Sequence, residues 1–142
     1  MSDFEPDFDV IVVGGGCAGS IAAYTLASAG KTVLVVERGQ YSGAKNMTGG
    51  RIYTHSLAQV FPDTWKEAPL QRKVAHERIS LMAPDSNFTI DFTSRELEED
   101  KNASYTVLRA PFDQWLAEQA ENAGAEYIYG IAVEDLIIED GK

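Results

Sequence analysis

A chain of 142 residues, 44% hydrophobic and 24% charged, has the composition of a soluble globular domain with a sizeable core and is too short for a second complete one. Its 22 acidic residues outweigh 12 basic ones, and the net charge of −10 disfavours nucleic acid and anionic membrane surfaces as partners. One cysteine allows neither a disulfide framework nor a cluster of metal ligands, the acidic stretch Met1–Asp9 is not a secretory signal, and no apolar run reaches membrane-spanning length, so a reducing cytoplasm is the expected compartment.

Val10-Ile11-Val12-Val13 is the first legible element. Four β-favouring apolar residues without alternation predict an interior strand of a parallel sheet, covered on both faces. The strand runs into G-x-G-x-x-G at Gly14, Gly16 and Gly19. In this pattern the first glycine allows a tight exit from the strand, the second lets a pyrophosphate approach the backbone, and the third lets helix and sheet pack closely. The helix that follows has Ala18, Ile21, Ala22, Thr25, Leu26 and Ala29 as its apolar stripe and Gly30 as its stop. Its N-terminus offers unpaired N–H groups and a positive dipole end to a phosphate. Thr32–Val36 reads as a second strand with Glu37 at its tip. That is about twenty residues past the glycines, where a carboxylate accepts hydrogen bonds from both hydroxyls of an adenosine ribose. The same carboxylate repels a 2′-phosphate, so FAD or NAD fits better than NADP. The plainer alternative is a βαβ unit whose glycines only make a turn and whose Glu37 is solvated.

From Tyr41 to Gly50 the chain lacks apolar periodicity and reads as a long loop beside the nucleotide site. Within it Lys45-Asn46-Met47-Thr48-Gly49-Gly50-Arg51 sets two glycines among polar donors, which either lets backbone approach a flat ligand or makes an ordinary turn. His55–Phe61 predicts a short helix with Leu57, Val60 and Phe61 inward, stopped by Pro62, and Lys66–Arg72 is polar and broken by Pro69. Val74–Met82 and Phe88–Phe92 read as an antiparallel pair joined at Pro84–Asn87, in a sheet other than the nucleotide-binding one; Ile79 and Leu81 share one side, and Phe88, Ile90 and Phe92 alternate. Ser94–Ser104, with Glu96, Glu98, Glu99 and Asp100, reads as a solvated loop, the sharper alternative being a docking surface for a basic redox partner.

Tyr105–Leu108 is extended again. The next helix is expected to open with Pro111 as its first residue and Asp113 in its first turn, to bury Phe112, Trp115, Leu116, Ala120 and Ala123 against a sheet, and to close at Gly124. Glu126–Tyr129 follows as a third parallel strand of the first sheet, reached after an antiparallel excursion. Ile131–Glu139 reads as a further strand and Asp140-Gly141 as the start of a hairpin turn, as in the N-terminal portion of something larger. Cys17 reads as a small packing residue, and His55 and His76 as isolated structural histidines.

Three groups of residues carry a resemblance. They are Val10–Gly19 with Glu37-Arg38-Gly39; Gly43-Ala44-Lys45-Asn46-Met47-Thr48-Gly49-Gly50-Arg51-Ile52-Tyr53 with His55-Ser56-Leu57; and Tyr105-Thr106-Val107-Leu108-Arg109-Ala110 with Phe112-Asp113 and Trp115-Leu116, followed by Gly130, Val133 and Leu136. The first is shared by many flavoproteins, whereas the other two are selective. Together they make the chain resemble the FixC and electron-transfer-flavoprotein:quinone oxidoreductase family, within the wider group of FAD enzymes that includes geranylgeranyl reductases and aromatic hydroxylases.

The resemblance implies an α/β, Rossmann-like FAD-binding domain whose parallel sheet is interrupted by part of a second, antiparallel sheet. Residues 8–54 and 105–142 would bind the nucleotide, with the insertion at about 70–104 and the C-terminal remainder of the enzyme absent. Gly14, Gly16 and Gly19, with Cys17 and Ala18 between them, would hold the FAD pyrophosphate; Glu37 would take the adenosine ribose, with Arg38 near the AMP half. Met47, Thr48, Gly49 and Gly50 would run beside the isoalloxazine ring, Arg109 would reach the phosphate or ribityl region, and Val133 would touch the adenine through its backbone. The chemistry would be the flavin's, so no catalytic side chain and no metal ligand is expected. The implied partners are electron-transfer flavoprotein as donor and quinone or a ferredoxin-like protein as acceptor, in a cytoplasmic enzyme whose attachment to the inner membrane, if any, lies in the missing part. This piece alone should bind FAD poorly and turn over little. An NAD dehydrogenase domain, an isoprenoid double-bond reductase or hydroxylase, and a non-catalytic nucleotide-binding module remain as alternatives.

Overall fold

In the computed structural model, which describes residues 7–138, the strand Val10–Val13 (β1) passes through the glycine turn into the helix Cys17–Ser28 (α1) and returns as Val33–Glu37 (β2). Then come Gly49–Tyr53 (β3), the helix Thr54–Val60 (α2), Leu70–Lys73 (β4), His76–Ala83 (β5), Ser86–Thr93 (β6), Ser104–Leu108 (β7), the helix Arg109–Asn122 (α3) and Glu126–Tyr129 (β8). Short 3-10 turns cover Trp65–Glu67 and Arg95–Glu98. Two compact units result: one holds the described residues up to Thr48 together with those from Arg109 onward, the other is Gly49–Leu108.

In the first unit β1, β2 and β8 form a parallel sheet in the order β1-β2-β8, with Val10 opposite Val33 and Leu34 opposite Glu126. The third parallel strand is therefore the predicted Glu126–Tyr129. The interior placement of β1 is not observed: among the described residues it pairs with β2 alone, and Ile11 and Val13 are 61% and 60% exposed. An unbroken apolar run states only that a strand tolerates burial on both faces; which neighbours cover it is a matter of topology.

The core of this unit joins Ala23 and Ala27 of α1, Val33 and Val35 of β2, Ala120 of α3 and Ala125. Alanines at the α1–α3 contact let the two helix backbones approach closely, so α3 packs on α1 and not merely on a sheet. The predicted stripe of α1 is corrected accordingly. Ala18, Ala22, Thr25 and Ala29 are exposed and Ile21 and Leu26 half-buried, whereas Ser20, Ala23 and Ala27 face inward. Because this helix is apolar on nearly every side, its periodicity does not select a face. The inward set of α3, by contrast, matches expectation: Phe112, Trp115, Leu116 and Ala120 are buried. Its start differs, since α3 begins at Arg109, two residues before Pro111, and Asp113 lies beyond the first turn and is fully buried. The expected strand Ile131–Glu139 does not form over 131–138, where the backbone is irregular and Ile137 is 90% exposed; Glu139 and the expected turn at Asp140-Gly141 lie outside the described residues. An apolar run becomes a strand only where another strand meets its backbone groups.

In the second unit β7 is central to an antiparallel sheet ordered β3-β7-β4. The sequence reads Gly49-Gly50 as loop, but both residues open β3, opposite Leu108 and Val107. α2 buries Leu57 and is followed by buried Phe61, close to expectation. β5 and β6 form a separate hairpin in which Ile79 faces Ile90 and Leu81 faces Phe88, so the apolar residues share one face as their alternation requires. The acidic run is exposed at Glu96, Glu98, Glu99 and Asp100, with Asp100 pairing with Lys66 and Lys73, and Glu99 with Lys101.

The burial pattern of α1 yields a direct test. Ala23→Leu is expected to destabilise the chain by about 1–3 kcal/mol through overpacking against Ala120 and Val35. The neighbouring Ala22→Leu should stay within about 0.5 kcal/mol. Urea unfolding of the two variants measures the difference, and the opposite order is what the sequence-derived stripe would require.

Candidate functional site

The turn between β1 and α1 is shaped by what two glycines lack. A Cβ on Gly19 would lie 1.9 Å from the carbonyl oxygen of Gly14 and 3.2 Å from Val12 Cγ1, so the first turn of α1 sits directly on the strand's exit. Gly16 is different: its φ of −80° suits any residue, and a Cβ there would meet nothing nearer than Asp113 Oδ2 at 4.0 Å. The chain's own packing does not need a glycine at 16, and the open space over that residue admits an external group to the backbone. Gly16 caps α1 without a side-chain hydrogen bond, and Ser20 N–H is the donor that returns to its carbonyl at 2.9 Å. The N–H groups of the first helical turn, from Cys17 to Gly19, precede the first intrahelical donor and point out of the helix end, the arrangement that receives an anion.

Gly15, between the motif glycines, is held from both sides. Its N–H donates to Glu37 Oε2 at 2.8 Å, and its carbonyl accepts the hydroxyl of buried Ser20 at 3.2 Å, which itself accepts from Tyr127 Oη at 3.0 Å. The other carboxylate oxygen of Glu37 accepts the Gly39 N–H at 2.6 Å. A carboxylate has about four acceptor positions, so two remain after these backbone bonds. Glu37 also lines a cleft of about 220 Å³ between the end of β1 (Val13, Gly14), the end of β2 (Val36, Glu37) with Arg38, and Ile131–Val133. That last segment is pinned beside β2 by Gly130 N–H to Gly39 O at 2.9 Å and Ile131 N–H to Glu37 O at 3.2 Å. Gly14, Glu37, Arg38 and Val133, far apart in sequence, therefore line one concavity.

A second cluster lies at the start of α1. Arg109 donates through Nε and Nη2 to the two oxygens of Asp113, both at 2.9 Å; Asn46 Nδ2 donates to Oδ2 at 2.6 Å and Cys17 Sγ to Oδ1 at 3.0 Å. Burial and then the Asp113 carboxylate push the Cys17 thiol up to about 12, so at neutral pH it is a protonated donor. Hydrogen bonding to Asp113 raises Arg109 above its usual value. Of the remaining predicted site residues, Ala18 is exposed in the first turn of α1, Met47 (99% exposed) and Thr48 are open at the end of their loop, where Thr48 O accepts from Arg109 N–H at 3.1 Å, and Gly49 and Gly50 are exposed in β3 of the other unit. Sequence reasoning missed Ser20, Tyr127, Asn46 and the buried role of Asp113. The last two stand inside the selective motifs, but nothing in their spacing indicates that they meet.

Among the described residues no group of His, Cys, Asp and Glu could hold a metal ion, and no helix is long and apolar enough to cross a membrane. His76 lies against Asp91 and His55 beside the Tyr53 ring, neither at the clusters above.

Residues 9–105 match the sequence profile of the FAD dependent oxidoreductase family, DAO. The chain belongs to this family. Its cofactor is FAD, and the open backbone over Gly16 fits a dinucleotide. The FAD family chain is 49% identical over 138 residues to Protein FixC of Salmonella typhi, covering 97% of this chain and 32% of that protein. It is 50% identical over 142 residues to the probable electron transfer flavoprotein-quinone oxidoreductase YdiS of Escherichia coli K12, covering all of this chain and 33% of that one. It thus spans about a third of the length of these curated relatives. Among solved structures, a geranylgeranyl bacteriochlorophyll reductase-like protein from Thermoplasma acidophilum superposes with a TM-score of 0.77 at 28% identity, over 95% of this chain and 33% of that one. The NAD dehydrogenase alternative needs a βαβ crossover after Arg51; antiparallel β3, β4 and β7 stand there instead.

The two glycines separate binding from folding. In the full-length enzyme Gly16→Ala should leave the unfolding midpoint near that of the parent while weakening FAD at least tenfold, about 1.4 kcal/mol. Gly19→Ala should lower stability itself, by about 1–3 kcal/mol or more. Parallel thermal melts and FAD titrations distinguish the two. For Cys17, a thiol near 12 against 9.0 for the ordinary group means about a thousandfold less thiolate at pH 8, so alkylation of the folded chain by iodoacetamide should lag far behind that of the urea-unfolded chain.

Proposed function

We propose that this chain is the FAD-binding part of a FixC-type oxidoreductase that takes electrons from reduced electron-transfer flavoprotein and passes them to quinone or a ferredoxin-like partner. The observation that carries the reading is the 49–50% identity, over 97–100% of the chain, to FixC and to YdiS. In this reading the unit containing β1, α1, β2, α3 and β8 is the nucleotide-binding part, and the antiparallel insertion lies within Gly49–Leu108, which holds the β3-β7-β4 sheet and the separate β5-β6 hairpin.

In this reading the turn over Gly14 and Gly16 admits the diphosphate to the backbone, and the open amides of Cys17, Ala18 and Gly19 receive it, while Gly14 N–H stays on Val36 O and Gly15 N–H on Glu37. Glu37 accepts from the ribose hydroxyls with the acceptor positions its backbone bonds leave over, Arg38 lies by the AMP half and the Val133 backbone meets the adenine. Arg109 reaches the phosphate or ribityl region, and Met47 to Gly50 run beside the isoalloxazine ring. FAD, when bound, supplies the electron-carrier chemistry; the protein's part is to bind and orient it. No acid–base pair or nucleophile is called for. The 28% identity to the geranylgeranyl reductase-like structure favours a double-bond reductase as second reading, but it is far below the FixC figure.

Purification of the full-length enzyme that contains this chain should yield a yellow protein that releases FAD on denaturation, and mixing with reduced electron-transfer flavoprotein should bleach its visible bands. A flavin-loaded protein that is not reduced by that donor overturns the electron-transfer reading. Glu37→Ala should weaken FAD by about 1.5–3 kcal/mol, the usual worth of a hydrogen bond to a charged group, as read by fluorescence titration.

A further inference from the structure

A carboxylate beside the turn that is to receive a diphosphate is, by charge alone, in the wrong place. Asp113 Oδ2 lies 4.0 Å from where a Cβ of Gly16 would stand, close to the approach of an anion. Yet Asp113 is fully buried, and its two oxygens accept four donors, Cys17 Sγ, Asn46 Nδ2 and the Nε and Nη2 of Arg109. Four is about all a carboxylate can accept, so no acceptor direction is left for a ligand. Asp113 therefore touches no cofactor. What it does is tie three segments together: the first residue of α1, the turn ending at Asn46, and the first residue of α3. The chain is shaped to permit this. Gly43 has φ +86°, and a Cβ there would lie 2.9 Å from Ala110 Cα and 3.0 Å from Asp113 Cβ, so only glycine lets the 43–46 turn lie against α3 and deliver Asn46.

The bidentate pair also decides which edge of Arg109 is presented. Two of its five N–H groups point at Asp113, and the other three belong to the far edge of a planar, rigid fork. The Arg109 side chain is 35% exposed while its partner is not exposed at all, so the outer edge is reachable from solvent.

We propose that Asp113 is the positioning residue of the cofactor cradle, fixing the Arg109 guanidinium against the start of α1 so that its outer edge meets the anionic part of FAD. The proposal rests on the FAD reading above and adds to it a residue that binds nothing itself. Orientation outweighs the repulsion of a negative charge, because Arg109 neutralises that charge while being held by it.

The sign of one substitution tests this. Asp113→Asn removes a negative charge from beside the diphosphate. If Asp113 were only a charge or a packing group, FAD affinity of the full-length enzyme would be unchanged or tighter; the positioning role requires it to weaken at least tenfold. A double-mutant cycle supplies a second readout. With Arg109→Ala already present, Asp113→Asn should change the FAD dissociation constant less than twofold, whereas additive losses overturn the proposal. Should Asp113→Asn fail to fold, Arg109→Lys serves instead, since it keeps the charge and loses the fork; affinity within twofold of the parent overturns the proposal, and a tenfold loss supports it. A full-length parent enzyme that binds no FAD at all refutes the cofactor reading, a result distinct from each of these.

Discussion

The first turn of α1 lies against the carbonyl of Gly14, and that contact exists because residue 19 carries no side chain. No rotamer change relieves a Cβ placed 1.9 Å from a backbone oxygen, so any larger residue must lift the helix off the strand. With the helix seated, buried Ser20 comes within reach of Gly15 O, Gly15 N–H turns towards Glu37, and the open amides of the turn face the side where Gly16 leaves room. Helix seating, peptide orientation and ligand access are thus three results of one missing methyl group.

Two carboxylates of the first unit show how environment divides one chemistry into two uses. Glu37, half-buried at the tip of β2 and lining the cleft there, spends two acceptor positions on Gly15 and Gly39 and has about two left. Asp113, without exposed surface, spends all four on side chains from three segments. A buried carboxylate with unmet acceptors is costly, so full satisfaction is the condition on which Asp113 can be there at all, and the same condition makes it rigid. The first carboxylate is suited to receiving a ligand and the second to holding residues that do.

The second unit follows a separate logic. Arg51 on β3 donates to Ser104 at 2.8 Å and to Glu77 at 2.6 Å and lies 4.7 Å from the Tyr53 ring, which links β3, β7 and the start of the hairpin. On β5 and β6 the alternation leaves Ile79, Leu81, Phe88, Ile90 and Phe92 together on one exposed face, while Arg78 with Asp91 and Ser80 with Thr89 ladder the other. Two strands by themselves cannot bury a face, so the alternation is satisfied in register but not in burial.

What the amino-acid sequence determined by itself was local. β1, the glycine turn, β2 with Glu37 at its tip, the hairpin, the inward side of α3 and β8 all depend on residues within a few positions of one another, whose preferences act before distant parts meet. Their order, parallel strands interrupted by an antiparallel piece, was legible for the same reason. The tertiary structure alone decided the rest. It set which side of the uniformly apolar α1 turns inward, the outer position of β1 among the described strands, the pairing of Gly49-Gly50 into β3, and the failure of 131–138 to form a strand. It also decided that Asp113 leaves the helix dipole to others and collects donors 96 and 67 residues away in Cys17 and Asn46. Such meetings depend on how two helices and a turn pack, and alanines and a single glycine permit that packing without announcing it in any periodicity.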